Sequence, residues 1–115
     1  MTLEELRMQI DVLDRQLVEL LNQRALTAQW IGQTKAATAL PVYEPNREKL
    51  VYENVRAANK GPLPDKELQH IYERILDVMR ALQRNELASE RNARGQQEDL
   101  NGLAAGPAPE TGKQK

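Results

Sequence analysis

The stretch TLEELRMQIDVLDRQLVELLNQRALTAQWIGQTKAA, residues 2–37, decides the fold. It contains no proline, and its only glycine is Gly32. Leu3, Leu6, Ile10, Leu13, Leu17 and Leu20 follow one another at steps of three and four, the seam of a long helix. Thr2 supplies the N-cap and Glu5, three residues on, its capping-box partner. At ~1.5 Å per residue this helix is roughly 50 Å long. A globule of this size has a radius of gyration of only about 13 Å. The helix therefore overhangs its own domain, and the simplest cover for the overhang is a second copy of the chain.

Working outward, Thr38–Tyr43 reads as a loop closed by Pro41, and Glu44-Pro45 opens a second helix with proline in the tolerated first turn. That helix runs to about Asn59 and turns Leu50, Val51, Val55 and Ala58 inward. Gly61-Pro62-Leu63-Pro64 stops it. Asp65 caps a third helix, whose stripe is Leu68, Ile71, Tyr72, Ile75, Met79 and Leu82. Beyond about Arg91 the stripe fails, and Gly95–Lys115 is rich in Gly, Pro, Ala, Gln and charge. The expected organisation is one helical domain over residues 1–91 and a disordered polar tail over 92–115. With no strand-like alternation of useful length, the fold class is all-α: a three-helix protomer with a long first helix, assembled as an intertwined homodimer.

Composition narrows the chemistry. Sixteen basic against seventeen acidic residues leave a formal charge of −1, whereas a nucleic-acid binder shows a clear basic excess. The chain has no cysteine, so thiolate metal sites and disulfides are excluded. A single histidine, His70, argues against a His-based metal site or a Ser-His-Asp triad. It falls on the polar side of the third helix and reads as a solvated surface residue. The N-terminus is charged throughout and lacks an apolar signal core. No run approaches the ~18 apolar residues of a membrane span, so the expected location is the cytoplasm.

Polar side chains interrupt the buried stripes. Continuing the first seam past Leu20 leads to Arg24, Ala28, Ile31 and Lys35, so Arg24 and Lys35 point inward about three turns apart. Arg7 flanks the same seam near the N-terminus. Arg47 lies in line with Val51, Val55 and Ala58, and Gln83 with Tyr72, Leu76 and Met79. A buried unpaired charge costs several kcal/mol, so inward cations need compensation. Two readings stay open at this point. Either the Arg and Lys stems lie on the core and their heads snorkel to water, or the cations build a pocket for a small anion with more than one carboxylate. Trp30, beside the seam near Leu26, is expected to pack against another helix.

The chain resembles the all-α (AroQ-class) chorismate mutases from roughly Leu3 to Gln83. The matching runs are Leu6-Arg7, Ile10-Asp11-Val12-Leu13-Asp14, Leu20-Leu21-Asn22-Gln23-Arg24, Ile31-Gly32-Gln33-Thr34-Lys35 and Tyr43-Glu44-Pro45-Asn46-Arg47-Glu48. The third helix adds His70-Ile71-Tyr72 and Arg80-Ala81-Leu82-Gln83. The resemblance implies the intertwined dimer and a cofactor-free Claisen rearrangement of chorismate, a small dianion, to prephenate in phenylalanine and tyrosine biosynthesis. It also assigns roles. Arg24 clamps a substrate carboxylate from within one protomer, and Arg7 does so from across the dimer. Lys35 and Gln83 bond the ether oxygen. Glu48 accepts from the ring hydroxyl with the backbone at Glu44 helping, and Arg47 holds the loop and a carboxylate in register.

Two departures from the family pattern stand out: Glu44 where Asp is common, and Met79 where some members carry Ser one turn before the glutamine. Met79 is accordingly not expected to act in the site. The rival readings are an isochorismate–pyruvate lyase of the same fold and a non-catalytic helical interaction module. Association with another shikimate-pathway enzyme is a further expectation from the resemblance.

Overall fold

The computed structural model describes the backbone of residues 1–103 and the side chains of residues 1–89. Three helices follow in order: α1, Leu3–Thr38; α2, Pro45–Ala58; α3, Asp65–Leu103. The capping box expected at the start of α1 is present. Glu5 N–H donates to Thr2 Oγ1 at 3.1 Å, and Thr2 N–H donates to Glu5 Oε1 at 2.9 Å. At its other end α1 stops on Ala39, which takes the left-handed conformation at φ 60°. Pro45 occupies the first turn of α2.

Helix α3 is longer than its side-chain stripe. The backbone continues to Leu103, past the boundary expected near Arg91. No proline occurs between Asp65 and Leu103, and the glycines in that span, Gly95 and Gly102, each cost only about 1 kcal/mol in a helix. Loss of an apolar stripe is thus not the same as loss of helix. Within the expected tail, residues 104–115 lie outside the described part of the chain.

The arrangement is open. Arg24 lies over Tyr72 while Gln33 bonds Glu86, so α1 and α3 run in the same direction. Glu48 meets Arg80, whereas Val55 neighbours Leu68, so α2 runs opposite to α3. Both α1 and α2 pack on α3 but not on each other, which leaves a wedge between them. Among the described residues the apolar core is only Ala28, Val51, Leu76 and Met79.

Several expectations about burial are corrected within this single chain. Leu50, Ala58 and Ile71, read as inward, are exposed, and Trp30, expected to pack against another helix, is 57% exposed. The α1 seam from Leu3 to Leu20 is bare, each of its six residues being 45–61% exposed. With helices of 36 and 39 residues the chain is extended, and its radius of gyration is 20.8 Å. His70 is exposed, with Nδ1 3.6 Å from Glu67.

Candidate active site

Gly32 sets how closely the site's two main helices approach. A Cβ built there would lie 2.9 Å from Gln83 Cα and 3.1 Å from Gln83 O. These are closer than side-chain carbons pack, so α1 and α3 touch at this level because residue 32 has no side chain. One turn further along α1, Lys35 is carried directly against Gln83.

Lys35 is the one buried charged residue among the described residues, at 6% exposure. Burial demands partners for all three ammonium protons, and the fold provides three. Nζ donates to Val42 O at 2.9 Å and to Gln83 Oε1 at 3.0 Å, and it lies 3.3 Å from Glu44 Oε1. Glu44 sits at the N-cap of α2 but makes no side-chain cap bond, because its carboxylate is turned to Lys35. The Gln83 carbonyl faces the ammonium, which leaves the donor end of its amide for another acceptor.

These groups line a cavity of about 190 Å³ in the wedge between the three helices. Six of the seven residues expected to form a site border it: Arg24 and Lys35 from α1, Glu44, Arg47 and Glu48 from the start of α2, and Gln83 from α3. Arg24 is half-buried, with its guanidinium carbon 6.0 Å from the Tyr72 ring centroid. Neither Arg24 nor Arg47 forms an ion pair with a carboxylate of the described residues. The seventh residue, Arg7, is exposed and does not border the cavity. It sits seventeen residues before Arg24 on one straight helix, about 25 Å away at the helical rise.

Sequence reasoning gave no role in the site to Val42, Met79 or Arg80, though all three line the cavity. Met79, set aside for lacking a polar group, is buried and forms part of the wall. Arg80 also lines the cavity. It donates to Glu48 through Nη1 and to Asp77 through Nη2, and its guanidinium carbon is 5.5 Å from the Tyr43 ring. The hydrogen bond to Glu48 raises the Arg80 pKa above its ordinary value, against the opposing effect of desolvation. Burial, reinforced by Glu73 and Glu48, likewise raises that of the neighbouring Tyr52 phenol. The available signal for Arg80 was its position one turn before Gln83 and three residues after Asp77, facing the start of α2.

The lining therefore carries four cations (Arg24, Lys35, Arg47 and Arg80) and two carboxylates (Glu44 and Glu48), an excess of two positive charges. A chain whose net charge is −1 concentrates positive charge in this cavity. Such an enclosure favours a compact dianion. Among the described residues no cluster of three or more metal-ligating side chains forms, and no helix is long and apolar enough to cross a membrane.

The chain is similar to known proteins in sequence and fold. The bifunctional chorismate mutase/prephenate dehydratase of Aquifex aeolicus is 37% identical over 86 residues, covering 71% of this chain and 24% of that protein. The chain thus spans about a quarter of the length of the bifunctional relatives it matches. The chorismate mutase of Methanocaldococcus jannaschii is 28% identical over 91 residues, with coverage of 78% and 92%. The Helicobacter pylori chorismate mutase, solved in complex with prephenate, superposes with a TM-score of 0.69 at 31% identity, covering 75% of this chain and 93% of that one. Residues 6–84 match the family described as chorismate mutase type II, and the three-helix frame agrees with it, so the chain belongs to that family.

Proposed function

We propose that the protein is a chorismate mutase that rearranges chorismate to prephenate, an isomerisation in which one C–O bond breaks as one C–C bond forms. The observation that carries this reading is the pairing of buried Lys35 with Gln83 in a cavity whose lining has two excess positive charges. The reaction is unimolecular and needs no nucleophile or proton transfer. The enzyme's work is to hold a flexible dianion compact and to place fixed charge where the ether oxygen becomes electron-rich.

In this mechanism Arg24 clamps one substrate carboxylate. Lys35 Nζ and the Gln83 amide bond the ether oxygen, Lys35 giving up part of its hold on Val42 O or Glu44 as substrate enters. Glu48 accepts from the ring hydroxyl, with the Glu44 backbone beside it. Arg47 keeps the start of α2 and a carboxylate in register.

The second carboxylate clamp is Arg7 of a second copy in an intertwined homodimer. Two observations support this assembly. The α1 seam from Leu3 to Leu20 is bare along its whole length. Among the 89 residues whose side chains are described, four buried apolar side chains are also far too few to order the chain, each residue costing roughly 1 kcal/mol or more in conformational entropy. The fusion of relatives to prephenate dehydratase supports association with another shikimate-pathway enzyme, in phenylalanine and tyrosine biosynthesis. Residues 1–91 form the catalytic unit, working in the cytoplasm.

The test is direct: purified protein is incubated with chorismate, the loss of chorismate absorbance is followed, and the product is identified. Prephenate supports the reading. Inertness toward chorismate, with release of pyruvate from isochorismate, would replace it with the lyase.

A further inference from the structure

Arg80 ties together three segments that border the wedge: α3, α2 and the α1–α2 loop. From α3 its Nη1 reaches Glu48 on α2, its Nη2 returns to Asp77 one turn back on α3, and its guanidinium face stacks on Tyr43 of the α1–α2 loop. The Arg80 and Glu48 side chains are 20% and 18% exposed. An arginine held by two carboxylates and a ring has little rotational freedom left, since its planar fork is fixed at both ends. Only one oxygen of Glu48, Oε2, is occupied by this contact. The other, Oε1, has no hydrogen-bond partner among the described residues.

We propose that Arg80 is a positioning residue: it grips Glu48 by one carboxylate oxygen, so that the other is presented to the cavity as a fixed acceptor for the substrate's ring hydroxyl. Without that grip Glu48, on a three-bond tether at the rim of α2, would sample several rotamers. It would also stand as an uncompensated anion in a site that must receive a dianion. Asp77 sets the plane of the guanidinium, and Tyr43 closes the loop over it. The same contact thereby locks the loop that supplies Val42 O and Glu44 to Lys35.

The inference rests on the chorismate mutase reading, and one set of measurements separates the two. Steady-state kcat and KM are compared for the wild type, Arg80→Met, Glu48→Gln and the double variant, each checked for folding by circular dichroism. Wild-type turnover tests the reading itself; without it, this inference falls too. If Arg80 acts through Glu48, Arg80→Met lowers kcat/KM by roughly tenfold or more. In the Glu48→Gln background it then adds less than about twofold. Equal losses in both backgrounds assign Arg80 a merely structural role and overturn the proposal, as does an Arg80→Met enzyme with wild-type kcat/KM. Should Arg80→Met fail to fold, Arg80→Lys keeps the charge but cannot hold Glu48 and Asp77 with one planar fork. The same comparison between backgrounds then decides.

Discussion

Gly32 and Gln83 meet backbone to backbone. A Cβ on residue 32 would sit 2.9 Å from Gln83 Cα, so the glycine governs the separation of the two helices that deliver Lys35 and Gln83 to one another. Substitution by alanine brings two opposed effects. Helix propensity favours alanine by about 1 kcal/mol, while overpacking costs about 1–3 kcal/mol. The obstructing atoms are Gln83 Cα and O and Glu86 Cβ, all fixed to the α3 backbone and unable to swing aside, so the overpacking cost wins. Gly32→Ala is expected to lower the denaturation midpoint and to reduce kcat by parting the Lys35–Gln83 pair. A variant as stable and as fast as the wild type removes the close-approach account.

The second prediction concerns that pair itself. Lys35→Ala and Gln83→Ala each take away a donor aimed at the developing charge on the ether oxygen, a loss on the order of 3 kcal/mol, or about a hundredfold in kcat. Steady-state kinetics with chorismate reads this directly. If either variant keeps kcat within a factor of a few and changes only KM, that side chain serves binding rather than the transition state.

Arg7 and Arg24 are too far apart on one helix to serve one cavity, so they belong to different chains of the proposed dimer. Arg7→Ala and Arg24→Ala are each expected to be nearly inactive alone. Mixed, unfolded together and refolded, they should regain part of the activity, because a mixed dimer contains one site with both arginines. Absence of recovery, with mixed dimers demonstrated by mass, overturns the shared site.

The bare seam of α1 provides a fourth test. Leu17→Glu places a carboxylate where the dimer would bury it, which costs several kcal/mol per ion. Sedimentation equilibrium should show a dimer for the wild type and dissociation for this variant, with activity falling in parallel. A wild-type protein that sediments as a monomer while turning over chorismate would refute the intertwined assembly.

Much of this was legible in the one-dimensional pattern. The period of α1, the capping box at Thr2 and Glu5, and the Gly-Pro stop before α3 rest on local chemistry, which needs no knowledge of neighbours. Polar residues on apolar stripes likewise marked Lys35, which is buried, and Arg24 and Gln83, which are half-buried, whereas Arg47 lines the cavity but is exposed. Burial of individual apolar residues was harder to read. Leu50, Ile71 and Trp30 fit helical stripes but are exposed in the lone chain, since a stripe says which way a residue faces and not whether anything stands opposite.

Local periodicity and capping, with ranges of only one or two turns, thus determined the three helices, the length of α1 and the inward turn of Arg24 and Lys35. Tertiary structure alone decided that Lys35 is satisfied by Val42, Gln83 and Glu44 together, that Gly32 brings α1 against α3, and that Arg80 braces Glu48 from across the wedge. Those contacts join residues up to fifty-one positions apart, as Gly32 and Gln83 are. Their geometry depends on how the helices cross, which no local propensity encodes.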